Sequence, residues 1–289
     1  MLRNLIRLAR PLDWIKNVFV VLPLPFAVAA GTAAAFSLSS FLLGFFGFCL
    51  ISSAVYVFND LCDAAADRLH PKKRFRPLAS GAVSPTVAMV LSLILLILGL
   101  GLCAVADRSY TITIAAIYVL TNLAYSVGAK KVPLLDVFIL ASGFVLRVWF
   151  GCALLSVFPS SWLLLCTATL ALFLGFIKRR ADLIEELDFN HRPSLRGYSK
   201  SFLDQAVGIC AGVAILAYAL YCVEVRGVLK PGREMASLPF VAYGIFDYLR
   251  LAYVKGYGDS PVEIAYKSLS LQVCGLGWIA AVSWSLGLW

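Results

Sequence analysis

The sequence predicts an all-α, polytopic membrane protein, and three observations support that fold class. The 289 residues are 61% hydrophobic and 14% charged, whereas an average soluble domain is roughly 45–50% apolar and about 25% charged. The mean hydropathy is high, at +0.87. Apolar stretches of about 20 residues, long enough to cross a bilayer, recur along the whole sequence and leave no space for a separate soluble domain.

We predict about nine membrane-spanning helices, which form one transmembrane domain over residues 1–289. Pro11, Asp13 and Lys16 precede the first apolar stretch, so we expect no cleavable signal peptide. The predicted helices cover residues 18–36, 38–58, 84–106, 109–127, 134–157, 160–178, 202–222, 236–254 and 269–289.

The basic residues predict how the chain is oriented in the membrane. The net charge is +9, and alternate connections hold most of the Lys and Arg side chains. Under the positive-inside rule these connections are cytoplasmic, which places the N-terminus inside and the C-terminus outside the plasma membrane. Most acidic residues lie in the same connections. We therefore expect a bundle with its site on the cytoplasmic side, and no nucleic-acid partner.

The pattern that most strongly predicts chemistry follows the second apolar stretch, where residues 59–68 read N-D-L-C-D-A-A-A-D-R. Asn59, Asp63 and Asp67 are four residues apart and share one face of a continuing helix. Carboxylates stacked in this way repel each other unless a cation lies between them. Mg²⁺ prefers hard oxygen ligands and commonly joins carboxylates to substrate phosphates. The pattern predicts a Mg²⁺–diphosphate site on these three residues, with Asp60 as a further catalytic candidate.

The alternative for this segment is a solvated helix end whose acids balance nearby arginines. Membrane depth disfavours that alternative, because unpaired acids are costly there.

A basic loop follows directly, with the sequence H-P-K-K-R-F-R-P over residues 70–77. Prolines at both ends stop the helix and define the loop. We predict that Lys73, Arg74 and Arg76 contact phosphate oxygens that the metal leaves free, since arginine offers a bidentate geometry. The alternative is that these cations only set the membrane orientation. His70 is expected to be a structural loop residue.

The acidic motif, followed by R-P-L-A-S-G at residues 76–81, resembles the UbiA superfamily of intramembrane prenyltransferases over essentially the full length. Within that superfamily the chain is most similar to the decaprenyl-phosphate phosphoribosyltransferase branch. The segments that carry this resemblance are R-P-L-D-W-I-K-N-V at 10–18, residues 59–76, Y-S at 125–126 with Lys130, Asp136 with G-F-V-L-R at 143–147, and K-R-R-A-D-L at 178–183.

The resemblance implies further site residues that would position substrate phosphates. Lys16 could instead extend to the membrane interface. Arg147 lies inside the fifth apolar stretch, where a charge normally faces a polar cavity or a partner. The implied phosphate-binding set is Lys16, Asn17, Arg68, Tyr125, Lys130, Arg147, Lys178, Arg179, Arg180 and Tyr198, with Asp136 and Asp182 in supporting roles.

The segment that begins at Lys178 separates the branches of the superfamily. The resemblance implies that typical members carry a second Asp-rich motif here, which binds another Mg²⁺. This chain instead begins the connection with Lys178, Arg179 and Arg180, and Asp182 and Glu186 are left as a weak acidic remnant of the motif. Three cations favour direct binding of a phosphate monoester over a second metal, although they could also serve only as an orientation signal.

The resemblance implies transfer of 5-phosphoribose from phosphoribosyl pyrophosphate to a polyprenyl (decaprenyl) phosphate, in support of cell-wall arabinan synthesis. Mg²⁺ is the implied cofactor, and the oligomeric state stays open. One alternative is a UbiA-type enzyme that moves a prenyl group to an aromatic acceptor, which predicts an intact second acidic motif. Another is a non-catalytic lipid binder or transporter, which predicts broken helices and internal repeats near the bilayer midplane.

Overall fold

A computed structural model describes residues 1–31, 37–69, 73–106, 110–184, 193–254, 264 and 267–288. Within these ranges all regular structure is helical. The chain forms two compact units. The first unit comprises residues 1–27 and 31–158, and the second comprises residues 28–30 and 159–289.

The described part of the chain contains eleven α-helices, labelled here in chain order, and short 3₁₀ helices connect several of them. The α-helices are α1 (Leu2–Ala9), α2 (Val18–Val21), α3 (Leu24–Ala29), α4 (Leu38–Leu69), α5 (Pro85–Val105), α6 (Thr111–Val127), α7 (Leu135–Leu154), α8 (Ser161–Ile184), α9 (Lys200–Glu224), α10 (Leu238–Val254) and α11 (Leu269–Ser285). The 3₁₀ helices are Pro11–Asn17, Lys73–Phe75, Ala129–Lys131, Pro193–Gly197 and Val225–Gly227.

The helices from α5 onward correspond to the predicted apolar stretches, whereas α4 begins where predicted but continues beyond residue 58 to Leu69. Six segments in the described part of the chain are long and apolar enough to cross a membrane, and α6 and α11 are shorter apolar helices. The six are Leu2–Ala29, Leu38–Leu69, Pro85–Val105, Leu135–Leu154, Ser161–Ile184 and Lys200–Glu224. The larger number of crossings stays a prediction.

The start of the chain differs from the prediction of one helix over residues 18–36. The described part of that range contains two short helices, α2 and α3, which are separated at Leu22 and Pro23. Proline lacks an amide hydrogen, so it breaks the helical hydrogen-bond ladder. The sequence reading also missed α1 and the 3₁₀ helix Pro11–Asn17. Residues 32–36 lie outside the described residues.

The helix α4 is held by close packing within the first unit. A Cβ atom on Gly99 of α5 would lie only 2.7 Å from the Gly47 carbonyl oxygen of α4. On α7, a Cβ atom on Gly151 would lie 2.0 Å from the carbonyl oxygen of Val20. Glycine therefore lets these backbones approach closely, as small residues do between membrane helices. The close approaches pack α5 against the first half of α4 and α7 against α2 within the first unit.

In the second unit, α8 and α9 pack against each other along their lengths. A hydrogen bond of 2.6 Å joins the hydroxyls of Tyr218 on α9 and Ser237. The indole nitrogen of Trp278 on α11 donates to the same Tyr218 hydroxyl at 2.8 Å. These contacts tie α9, α11 and the segment before α10 together within the second unit.

Candidate active site

The acidic motif lies on one unbroken helix, because α4 continues through to Leu69. The side-chain nitrogen of Asn59 donates a hydrogen bond of 3.2 Å to Asp63 Oδ2. The contact spans one helical turn, so the structure brings these two predicted ligands together on one face, as their spacing indicated.

A lysine from the segment after α6 holds this pair. Lys130 Nζ is hydrogen-bonded to Asp63 Oδ1 and lies 3.5 Å from Asn59 Oδ1. Ser126 Oγ also donates to Asn59 Oδ1, at 3.1 Å. The sequence did not lead us to predict Ser126 as a site residue. The available signal was its position directly after Tyr125 in the segment Y-S at 125–126.

The other two carboxylates of the motif are buried and share one arginine. Arg76 Nη1 donates to Asp67 Oδ2 at 2.7 Å and to Asp60 Oδ1 at 3.1 Å. Arg10 Nη2 donates to the same Asp60 oxygen at 2.5 Å. Asp60 is only 2% exposed. It therefore lies between two arginines and links α4 to the N-terminal segment and to the basic loop.

Arg10 was missed by the sequence analysis as a site residue. It stands at the C-terminal end of α1 with a left-handed backbone, φ 49° and ψ 55°, a conformation that is uncommon outside glycine. The available signal was its place as the first residue of the R-P-L-D-W-I-K-N-V segment. That segment is fixed to α4 by a second contact, since the indole nitrogen of Trp14 donates to Ser53 Oγ at 2.9 Å.

A cleft of about 340 Å³ lies beside the buried carboxylate. It is lined by three arginines, two aspartates and two apolar residues, namely Arg7, Arg10, Arg76, Asp13, Asp60, Phe75 and Pro77. Of the predicted basic loop, Arg76 lines this cleft, while Arg74 lies over the Phe75 ring at 4.9 Å and is exposed. A cleft of this charge suits an anion that can share the arginines with Asp60.

Two predicted phosphate-binding residues contact each other inside the first unit. Asn17 is fully buried, and its Oδ1 accepts a hydrogen bond of 2.9 Å from Arg147 Nε. Arg147 also donates to the Gly143 carbonyl at 2.8 Å and to the Tyr118 hydroxyl at 2.9 Å. A buried cation needs such partners because its desolvation is costly. The contacts make Arg147 a support for the N-terminal segment that carries Lys16.

Lys16 itself lies nearer the surface of the first unit. Its Nζ atom pairs with Asp13 Oδ1 at 2.7 Å and lies 5.3 Å from the centre of the Tyr56 ring. The ion pair and the ring both stabilise the ammonium group at this position.

The basic end of α8 contains two differently placed arginines. Arg179 is 1% exposed and lies 3.6 Å from Asp182 Oδ2 on the same helix. Arg180 Nε donates to Asp204 Oδ1 of α9 at 2.5 Å. Its guanidinium carbon lies 3.8 Å from the centre of the Tyr253 ring. Asp204 and Tyr253 were also missed, and neither belongs to a recognisable sequence motif.

The remaining predicted residues vary in exposure. Asp136 is fully buried in the first turn of α7, and Tyr198 is buried and stacks on Phe202 with ring centres 6.0 Å apart. Arg68 is exposed, whereas Lys73, Tyr125 and Lys178 are half-buried. His70 and Glu186 lie outside the described residues.

Among the described residues, no group of three or more His, Cys, Asp and Glu side chains is placed to hold a metal ion. The predicted set of Asn59, Asp63 and Asp67 contains two carboxylates and one amide, so a cation there would also require substrate oxygens. Both carboxylates contact a basic side chain in this structure. The magnesium site stays a prediction.

The chain belongs to the UbiA prenyltransferase family, which it matches over residues 20–257. It is therefore a multi-pass membrane protein of an enzyme family, as the sequence predicted. The decaprenyl-phosphate phosphoribosyltransferase of Corynebacterium glutamicum is 31% identical over 286 residues, which cover 96% of this chain and 85% of that protein. The enzyme of that name from Mycolicibacterium smegmatis is 32% identical over 297 residues, with 96% and 91% covered.

A solved structure has the same fold over nearly the whole chain. The UbiA homolog from Archaeoglobus fulgidus bound to GPP and Mg²⁺ has a TM-score of 0.73 and covers 99% of both chains, at 19% sequence identity. This likeness establishes the all-helical UbiA fold.

Proposed function

We propose that this protein transfers a 5-phosphoribosyl group from phosphoribosyl pyrophosphate to a polyprenyl phosphate, such as decaprenyl phosphate. The observation that carries the proposal is the charge of two helix ends, acidic on α4 and basic on α8. The two bacterial relatives described above bear the name of this activity. Their similarity over most of both chains supports the same assignment here.

The acidic end of α4 would hold the pyrophosphate of the donor. Asn59, Asp63 and Asp67 offer hard oxygen atoms on successive turns of one helix, which fits Mg²⁺ together with substrate oxygens. When bound, the metal ion would neutralise charge that develops on the leaving pyrophosphate. Lys130 and Arg76 already contact two of these carboxylates, so each can turn from a carboxylate to a pyrophosphate oxygen.

Asp60 has a different role in this proposal. Because it is buried between Arg10 and Arg76, it orients those arginines toward the cleft and does not contact the substrate. Lys73 and Arg74 would contact donor phosphates from the basic loop, with Lys16 and Arg68 as further cations. Asn17 and Arg147 would keep the N-terminal segment in place.

The acceptor needs no strong general base, since a polyprenyl phosphate is already an oxyanion. One of its oxygens forms a bond to C1 of the ribose, while the bond from C1 to the pyrophosphate oxygen breaks. The electron pair of that bond leaves with pyrophosphate, and the configuration at C1 is inverted. Lys178, Arg179 and Arg180, helped by Tyr125 and Lys130, would position the remaining phosphates, with Asp136, Asp182 and Tyr198 in support.

Further parts of the proposal concern the setting of the reaction. The site would lie on the cytoplasmic side of the plasma membrane, within one domain of about nine helices, with the N-terminus inside and the C-terminus outside. The product lipid would serve cell-wall arabinan synthesis.

The test is transfer of label in a defined mixture. Purified protein is incubated with Mg²⁺, ribose-labelled phosphoribosyl pyrophosphate and decaprenyl phosphate, and we expect label in the lipid phase together with one pyrophosphate per labelled lipid. A parallel reaction offers geranyl diphosphate and an aromatic acid. Transfer in the parallel reaction only would contradict the proposal and support the prenyltransferase alternative. Absence of transfer in both would favour the non-catalytic alternative.

A further inference from the structure

Three helices of the second unit meet at the guanidinium group of Arg180. Arg180 stands near the end of α8, Asp204 near the start of α9 and Tyr253 near the end of α10. Asp204 accepts a hydrogen bond from Arg180 Nε at 2.5 Å. The Tyr253 ring lies under the guanidinium, 3.8 Å from its central carbon.

These contacts hold the plane of the guanidinium group against the Tyr253 ring and turn its Nε edge toward Asp204. The aromatic ring covers one face, so the plane can tilt little. The carboxylate takes the hydrogen of Nε, which leaves the two Nη atoms on the outer edge as a parallel pair of donors. That pair is the fork with which arginine binds phosphate through two hydrogen bonds.

The burial of the group suits an arginine that works at a partly exposed site. The Arg180 side chain is 11% exposed and that of Asp204 is 35% exposed, whereas the neighbouring Arg179 is almost completely buried beside Asp182. Arg180 is therefore the more accessible of the two arginines.

Three consecutive cations, Lys178, Arg179 and Arg180, stand at this end of α8. Asp182 and Asp204 pair with the two arginines, and the acids at 185, 186 and 188 that follow in the sequence lie outside the described residues. A phosphate monoester carries a charge of about −1.5 to −2 at neutral pH. It can accept two hydrogen bonds from one guanidinium edge and still bind a further cation.

We propose that Asp204 and Tyr253 are positioning residues that present the Nη edge of Arg180 to a phosphate monoester. The inference rests on the proposed function, in which two substrate groups have this chemistry. They are the 5-phosphate of the ribosyl donor and the phosphate of the polyprenyl acceptor. Neither positioning residue touches the substrate, so each acts on binding through Arg180.

The test is a set of variants assayed at steady state with each substrate varied separately. Asp204→Asn keeps the shape of the side chain but weakens the hold on Nε, and Tyr253→Ala removes the ring. We expect each to raise the KM for one substrate about tenfold, the loss expected when one charge-assisted hydrogen bond is misplaced, with kcat within a factor of about two. Asp204→Glu should recover part of the loss, and Tyr253→Phe, which keeps the ring, should cost less than Tyr253→Ala.

A matched control uses another arginine–aspartate pair of the second unit. Arg250 Nη2 lies 2.6 Å from Asp247 Oδ1 on α10, and the arginine side chain is half exposed. Arg250→Gln removes that ion pair without touching Arg180. Both KM values should stay at the wild-type level in this control.

The KM values show which of the two substrates Arg180 binds. They also test the positioning role separately from the proposed function. A higher KM for phosphoribosyl pyrophosphate alone assigns Arg180 to the donor 5-phosphate, and a higher KM for polyprenyl phosphate alone assigns it to the acceptor. Unchanged values, or equal losses for both substrates together with a lower melting temperature, overturn the positioning role. If Asp204→Asn does not fold, the KM values and melting temperature of Tyr253→Ala test the positioning role by the same criteria. A wild-type protein that transfers no ribose would overturn the proposed function and this inference together.

Discussion

The acidic end of α4 and the basic end of α8 both carry charged side chains that pair with residues of other segments, but the charges are opposite in sign. On α4 the carboxylates of Asp60, Asp63 and Asp67 come from one helix, and the cations that pair with them come from three other segments. On α8 the arginines come from one helix, and Asp204 and Tyr253 come from two others. Buried charges require partners, so each helix end acquires them from its neighbours.

The two ends differ in the charge that their own helix supplies. At α4 the helix supplies three carboxylates, which pair with Arg10, Arg76 and Lys130 of other segments. A diphosphate that pairs with those cations instead would leave carboxylates that can bind a metal ion. At α8 the helix supplies Arg180, which pairs with Asp204 of another helix and can bind a phosphate directly. We therefore expect a metal-mediated phosphate site at α4 and a direct one at α8.

The largest expected effect comes from removing the central carboxylate of α4. Asp63→Ala should lower the rate of ribosyl transfer about 1,000-fold, because electrostatic stabilisation of a leaving group is worth that much in many enzymes. Membrane insertion should be unchanged. The measurement is the label-transfer assay on protein that elutes as a folded species in detergent. Glu234→Ala, which removes an acid outside α4, serves as the control, and wild-type activity in Asp63→Ala would exclude a metal-binding role.

The buried carboxylate between two arginines should matter for stability more than for chemistry. Asp60→Ala leaves Arg10 and Arg76 without their shared partner, and we expect the free energy of unfolding to fall by about 3 kcal/mol, near the lower end for a broken buried ion pair because both arginines are partly exposed. Denaturation in mild detergent measures this effect. A stable Asp60→Ala protein that has lost activity would instead place Asp60 among the groups that touch the substrate.

Arg147 differs from the arginines at the two helix ends because its hydrogen-bond partners are uncharged. Arg147→Met removes the hydrogen bonds to Asn17 and Tyr118 and should cost about 2 kcal/mol of stability, since a buried polar group loses its partner. The KM values of the folded fraction should stay close to wild type. Thermal unfolding and steady-state kinetics on the same sample check both statements, and a large rise in KM at unchanged stability would indicate direct phosphate binding.

The smallest of these effects is expected for Lys130, the lysine that pairs with Asp63. Lys130→Gln should raise the KM for phosphoribosyl pyrophosphate about tenfold, the loss expected for one charge-assisted hydrogen bond. The KM for the lipid should change less. Equal rises in both KM values would show that Lys130 serves the site generally and not the donor pyrophosphate.

The sequence was sufficient for features that depend on neighbours along the chain. The alignment of Asn59 with Asp63 follows from helical periodicity, and the later apolar stretches correspond closely to helices. The break at Pro23 was missed because hydropathy averages over a window and does not register a single missing hydrogen-bond donor.

The partners of the site residues could not be predicted in the same way. Arg10 and Asp60 are 50 positions apart, and Ser126 and Asn59 are 67 apart, so only packing brings them together. In the sequence, the three cations of K-R-R at residues 178–180 form one group. In the structure Arg179 is buried while Arg180 meets two other helices, because successive residues of a helix point about 100° apart.

In the proposed function, the acidic end of α4 holds the metal-bound pyrophosphate of a ribosyl donor. The most direct test is equilibrium binding of labelled phosphoribosyl pyrophosphate to the purified wild-type protein and to Asp63→Ala. We expect saturable binding to the wild type in Mg²⁺, and loss of that binding both in a chelator and in the variant. Binding that survives the chelator and the loss of Asp63 would contradict the claim.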